Sequence, residues 1–127
     1  MPHLVLELSA NVPDEPDFDR VLKRLHDAMT TAGPFDLAKV KSRVVRRERF
    51  RAADGAPDRA FVHLSVAVLA GREPEVLQAT AAALLAVLED SFPRARAERL
   101  CDITLEVREM KRELYFKATL PAAGRGA

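Results

Sequence analysis

Pro2 follows the initiator methionine directly and heads an alternating stretch, Pro2-His3-Leu4-Val5-Leu6-Glu7-Leu8. Methionine is commonly trimmed before a residue this small, which would leave a secondary amine at the head of the chain. An α-amino group titrates near about pH 8, and burial or a neighbouring cation disfavours its charged form. Such an amine is a candidate general base at neutral pH. The competing reading is structural: a proline that merely starts an edge strand loses little by lacking an N–H. Taken alone, the residue leaves both readings open.

The cations of the chain gather in two places. Lys39, Lys41, Arg43, Arg47, Arg49 and Arg51 alternate along one segment, with Arg46 beside them. The planar guanidinium fork donates two parallel hydrogen bonds to a carboxylate, which makes one or two of these arginines, Arg43 among them, candidates for anion binding. The second place is Arg72, in Ala70-Gly71-Arg72 just ahead of a predicted helix start, where anions are favoured. Simple loop solvation is the plain alternative there.

A nucleic-acid reading of the basic segment is outweighed. Twenty Lys and Arg stand against 19 Asp and Glu, for a net charge of +1. Only Phe50 interleaves the run as a stacking aromatic, so a solvated strand face is the better expectation. His3 titrates in a useful range, yet alternation puts it on the sheet face away from the helices, where an interface histidine is expected. Cys101 is the single cysteine. It excludes a disulfide framework and has none of the nearby His and Cys companions of a metal site or nucleophilic dyad, so it reads as a reduced structural thiol.

The elements that must carry these residues repeat. The first unit, about residues 2–55, has a predicted strand over 2–10, turn chemistry in Asn11-Val12-Pro13-Asp14, and a predicted helix over 17–31. Phe18, Val21, Leu22, Leu25 and Met29 share one face of that helix, and Gly33-Pro34 stops it. A second strand is predicted over 40–51. The second unit, about 60–110, repeats the order: a strand over 61–69, a helix over 75–91 with Leu77, Ala81, Leu84, Leu85, Leu88 and Phe92 on one face, and a strand over 103–110. This predicts an α/β (α+β) fold of two tandem βαβ units, a four-stranded sheet with two helices on one face.

The other face of that sheet would carry His3, Val5, Phe61, Ala67 and Leu69. A partly apolar, uncovered sheet face is a common mark of oligomerisation. A length of 127 residues and a mass of 14.0 kDa fit one domain over 1–120, with a flexible tail over 121–127. Acidic residues at Glu7, Asp14, Glu15, Asp17 and Asp19 and the lack of a long apolar run argue against a signal peptide or membrane span. The expected compartment is the cytoplasm, and near-neutral charge gives no drive toward nucleic acid or anionic membrane.

Several fragments, taken in order, resemble one family. They are Met1-Pro2-His3 with Glu7, Ser9-Ala10-Asn11-Val12, Leu37-Ala38, Ser42-Arg43-Val44, Ala53-Asp54-Gly55, Phe61-Val62-His63, Ala70-Gly71-Arg72 and Phe116-Lys117. Together they resemble the 5-carboxymethyl-2-hydroxymuconate isomerase family of the tautomerase superfamily, in register from Pro2 to about Lys117.

The resemblance implies a tautomerase-like fold assembled as a homotrimer, with the amino-terminal proline at the base of a pocket partly built by a neighbouring subunit. It implies unsaturated 2-hydroxy or 2-oxo dicarboxylates of aromatic (homoprotocatechuate) catabolism as substrates, and no metal or organic cofactor. Pro2 is then the catalytic residue, and Arg43, Arg72 and Lys41 are the expected substrate-binding cations. The chain departs from the family pattern at Lys41, where an arginine is usual. The second unit opens at Ala60-Phe61 without a proline, so one catalytic centre per chain is expected. Two alternatives stand beside this reading: another proline-dependent tautomerase or hydratase activity, and a non-catalytic trimeric binding protein with Pro2 masked.

Overall fold

Leu4, Leu6 and Leu8 are fully buried while His3, Val5 and Glu7 between them are not, the period-two pattern of a strand covered on one side. The computed structural model describes residues 1–121, so the tail expected over 121–127 lies, from residue 122 onward, outside the described residues. The elements run β1 (His3–Ser9), α1 (Phe18–Thr31), a 3-10 turn (Leu37–Lys39), β2 (Lys41–Arg47), β3 (Arg59–Leu69), α2 (Pro74–Ser91), α3 (Pro93–Glu98), β4 (Leu100–Met110) and a second 3-10 turn (Arg112–Leu114). The sheet order is β2-β1-β3-β4. β1 pairs parallel with β2 and β3 parallel with β4, while β1 and β3 meet antiparallel. These are the two expected βαβ units, joined at the middle of one sheet with their helices on one face.

The core lies between that face and the helices. α1 is capped by the Asp17 carboxylate, which accepts from the Arg20 N–H at 3.3 Å, a preferred arrangement at a helix start. Val21, Leu25, Ala28 and Met29 then fall on one stripe and are buried. α2 begins with Pro74, which needs no N–H in the first turn, and buries Thr80, Leu84 and Leu88. Opposite them lie Val62, Leu64, Val66 and Val68 of β3, each 2% exposed or less. Full burial of one such side chain contributes about 1.5–3 kcal/mol, so this layer is the main source of stability. Among the described residues no helix is long and apolar enough to cross a membrane.

The sequence-based boundaries need two corrections. The second strand ends at Arg47 and not near residue 51, so Arg49 and Arg51 do not continue the basic face. Arg51 instead folds back to donate to the Asp54 carbonyl at 2.9 Å. The second helix ends at Ser91, as expected, but a short helix that the sequence reading lacks, α3, follows after Phe92. Its start is held by Asp14, which reads in sequence only as turn chemistry. That carboxylate is 4% exposed and accepts from the backbone N–H groups of Ala95 at 2.7 Å and Arg94 at 2.8 Å.

Candidate active site

The antiparallel meeting of the two units decides where Pro2 lies. His3 pairs with Ala67 in β3, so the residue ahead of β1 comes to the end where β3 exits. β4 runs parallel to β3 with Leu69 opposite Met110, so it exits at the same end. In open sheets, ligands gather beyond the carboxyl ends of strands. Here those exits carry Arg72, three residues after β3, and Arg112, two residues after β4. Pro2, Arg72 and Arg112 line one cavity of about 310 Å³.

Each wall of that cavity has a local cause. Pro2 is buried, and its carbonyl accepts from the Lys41 N–H at 3.0 Å, which ties the chain start to β2. Arg72 sits with its guanidinium 4.3 Å from the centre of the Phe35 ring, within cation–π range, and donates to the Leu69 carbonyl at 3.3 Å. Phe35 can reach this place because Gly33 leaves it room. A Cβ on Gly33 would meet Thr80 Oγ1 at 2.5 Å and the Phe35 ring at 2.9 Å. Gly71, at φ +122°, supplies the left-handed turn between β3 and Arg72. Arg112 Nε donates to the Ala70 carbonyl at 2.7 Å.

The electrostatics of the cavity are one-sided. Arg72, Arg112, Lys39 and the chain's amine all border it, against the single carboxylate of Asp36. Among the described residues neither Arg72 nor Arg112 has a carboxylate in salt-bridge range, whereas Arg46, Arg47, Arg59, Arg94 and others are so paired. The terminal amine, carried here by Met1, donates to the Lys39 carbonyl. Its pKa lies below the ordinary value of 8.0, first because burial penalises the ammonium and then because Lys41, Lys117 and Lys39 repel it; Asp36 opposes them.

Arg43 and Lys41 lie elsewhere within the single chain. Arg43 is on the uncovered sheet face, where its Nη2 donates to His3 Nδ1 at 3.0 Å. A guanidinium can only donate, so Nδ1 holds the lone pair and Nε2 carries the proton, directed to the Tyr115 hydroxyl oxygen at 3.0 Å. His3 is thus held neutral. Burial, then the Arg43 charge, then the terminal amine and Lys41 push its pKa below the ordinary 6.5. Lys41 borders a separate open groove between α1 and β2, beside His26 and Ser42. Its charge reaches the amine, though its side chain does not line the Pro2 cavity.

Of the residues singled out in the sequence, the structure brings Pro2 and Arg72 to one cavity and leaves Arg43 and Lys41 outside it; Arg112, Phe35 and Tyr115 are not singled out by the sequence. Arg112 had a usable signal: it falls just past the last strand, as Arg72 falls just past its parallel partner. Phe35 and Tyr115 sit in irregular segments, where no periodicity marks them.

The sheet order, the paired βαβ units and the one-sided helices make a tautomerase-like fold, the class of fold also seen in a symmetric trimer described as fused 4-OT (TM-score 0.64, 19% identity, covering 84% of this chain and 85% of that one). Within that class the chain belongs to the 5-carboxymethyl-2-hydroxymuconate isomerase family, whose sequence model matches residues 2–120, and it is an isomerase. It is similar to the 5-carboxymethyl-2-hydroxymuconate Delta-isomerase of Escherichia coli, with 31% identity over 117 residues, 92% of this chain and 93% of that protein. It is also similar to the crystal structure of a 5-carboxymethyl-2-hydroxymuconate isomerase from Deinococcus radiodurans R1. That match has a TM-score of 0.85 and 34% identity, covering 94% of this chain and 90% of that one.

Proposed function

We propose that the protein, once Met1 is removed, converts 5-carboxymethyl-2-hydroxymuconate or a close 2-hydroxydienoate to its 2-oxo-3-ene isomer, with the Pro2 amine as general base. The observation that carries this reading is that Pro2 lines one cavity with two arginines that have no carboxylate in salt-bridge range among the described residues. An unpaired pair of guanidiniums beside a desolvated amine suits an anionic substrate that must lose a proton.

The reaction moves one proton. The amine takes it from the 2-hydroxyl group; the O–H bond breaks and a dienolate forms. The pair of electrons shifts along the diene, and the prolinium returns a proton to its far carbon, forming a C–H bond and regenerating the amine. No electron leaves the system. Arg72, held in place by Phe35 and the Leu69 carbonyl, stabilises the developing oxyanion and its neighbouring carboxylate, the kind of preorganised charge that lowers such barriers most. Burial first, and then Lys41, Lys117 and Lys39, hold the amine of Met1 below its usual pKa; the same surroundings would keep a larger share of a Pro2 amine neutral and ready at pH 7.

The same reading includes a homotrimer working in the cytoplasm, in aromatic catabolism. His3, Val5, Phe61, Ala67 and Leu69 are half-buried on a face with no helix over it, and Phe116 and Leu120 project 86% exposed. These apolar groups gain most from a second copy of the chain. Arg43 and Tyr115 stand on or beside that face, so any part they take in binding substrate falls at a subunit boundary. The test is turnover of a panel of carboxylated 2-hydroxymuconates followed in the ultraviolet, using protein shown by intact mass to lack Met1. Rapid loss of the dienol absorbance supports the reading. No turnover of any member of the panel removes it.

A further inference from the structure

Arg112 borders the cavity with most of its hydrogen-bonding capacity unused among the described residues. It opens the 3-10 turn after β4, and its Nε is committed to the Ala70 carbonyl at 2.7 Å. Nη1 and Nη2 have no acceptor among the described residues. The bond from Nε anchors the guanidinium and leaves the Nη1/Nη2 edge, which can meet a carboxylate with two parallel hydrogen bonds, free of acceptors among the described residues.

Arg72 is tethered one carbonyl earlier, at Leu69. Two separate forks therefore face one cavity. They differ in depth: Arg72 is half-buried against Phe35, while Arg112 is exposed. The deeper fork is the one suited to the reacting end of a substrate, because desolvation strengthens its hold on developing charge. The outer fork is suited to a second anionic group further along the same molecule. Asp36, the single carboxylate on the cavity wall, cannot neutralise both.

We infer that Arg112 is a specificity-determining residue whose free Nη1/Nη2 edge binds the carboxylate distal to the reacting enol, so that the site selects a dicarboxylate over a monocarboxylate. This rests on the reading of the cavity as the site of proline-based isomerisation. The Arg112 guanidinium lies against the Gly71 turn: a Cβ built there would be 3.6 Å from Nε and Nη2, ordinary contact distance.

The test compares wild type, Arg112→Gln and Arg112→Lys, all with Met1 removed, on 2-hydroxymuconate and on 2-hydroxy-2,4-pentadienoate. The ratio of kcat/KM for the dicarboxylate over the monocarboxylate should fall by about tenfold or more in Arg112→Gln, as expected for one lost charge-assisted contact. The loss should lie mainly in KM, and Arg112→Lys should recover only part of it, having charge without the fork. An unchanged ratio overturns the inference and leaves the proline reading intact. A second arm does not depend on catalysis: adipate, an unreactive dicarboxylate, should bind Arg112→Gln about tenfold more weakly than wild type by calorimetry. Equal adipate binding overturns the inference. Wild type that binds adipate in an Arg112-dependent way but isomerises neither probe sinks the proline reading alone.

Discussion

The ring of Phe35 lies beneath the guanidinium of Arg72, 4.3 Å from ring centre to charge, and this contact joins the loop after α1 to the exit of β3. A cation held over a ring face in a partly desolvated place gains about 0.5–2 kcal/mol. More importantly for a binding site, both the ring and the guanidinium line the cavity that holds Pro2.

Phe35→Leu should therefore weaken the site through Arg72 without removing any charge. A severalfold rise in KM for a dicarboxylate is expected, with a loss of stability of about 1–2 kcal/mol from a large-to-small change at a buried position. Unchanged KM would show that Arg72 needs no ring beneath it. Arg72→Ala should cut kcat/KM by roughly a hundredfold or more, comparable with loss of an oxyanion donor, while Tm stays within a few degrees as expected away from the core.

Much of this arrangement was legible in the sequence because strands and helices announce themselves by period. Leu4, Leu6 and Leu8 fix the covered face of β1, and Val21, Leu25 and Met29 fix that of α1, so two βαβ units and their shared sheet follow from alternation and spacing. Arg72 was found because a glycine and a helix start flank it. Asp14 and Phe35 were not, because their roles depend on groups that only the tertiary fold brings near: α3, some 80 residues on, and a guanidinium across the cavity. Arg49 and Arg51 show the converse error, a sequence alternation that continues after the strand has ended.

Asp14 should prove the most sensitive polar residue outside the cavity. Its buried carboxylate satisfies two backbone N–H groups at the start of α3, so Asp14→Ala leaves both without an acceptor. A destabilisation of about 2–3 kcal/mol is expected, readable as a lower urea midpoint with an unchanged slope. A shift under about 0.5 kcal/mol, the range of ordinary surface changes, would mean that water replaces the carboxylate.

The two depressed histidines give the fold an acid-sensitive window. Burial is the first cause for both; Arg43 adds to it at His3, and Asp27 opposes it at His26. With the folded pKa below the ordinary 6.5, the unfolded chain binds more protons in that window, so stability rises with pH there. It should be fully present above about pH 6.5 and lost progressively as pH falls through the folded values. Chemical melts of wild type and of a His3→Gln, His26→Gln double variant across pH 5 to 8 should show a flatter dependence in the variant. Nitrogen NMR of His3 should show protonated Nε2 and bare Nδ1 at pH 7, and the opposite tautomer would contradict the Arg43 hydrogen bond.

The Pro2 amine carries the sharpest expectation. Only the neutral amine can act as a base, so kcat/KM should rise with pH through an apparent pKa below about 8, the value of a free α-amino group. Burial would lower that pKa first and the Lys41 charge next, as they do for the amine at this end of the chain. Lys41→Gln should therefore move the midpoint upward, toward 8, and leave less neutral amine at pH 7. A midpoint that stays put would take Lys41 out of the electrostatics of the site. Pro2→Ala keeps an amine of different basicity and geometry, so activity should fall strongly without vanishing. A chain that retains Met1 has an amide nitrogen at Pro2, with no basic lone pair, and should be inactive. Full turnover by protein that intact mass shows to keep Met1 would end the proline mechanism, whatever the arginines do.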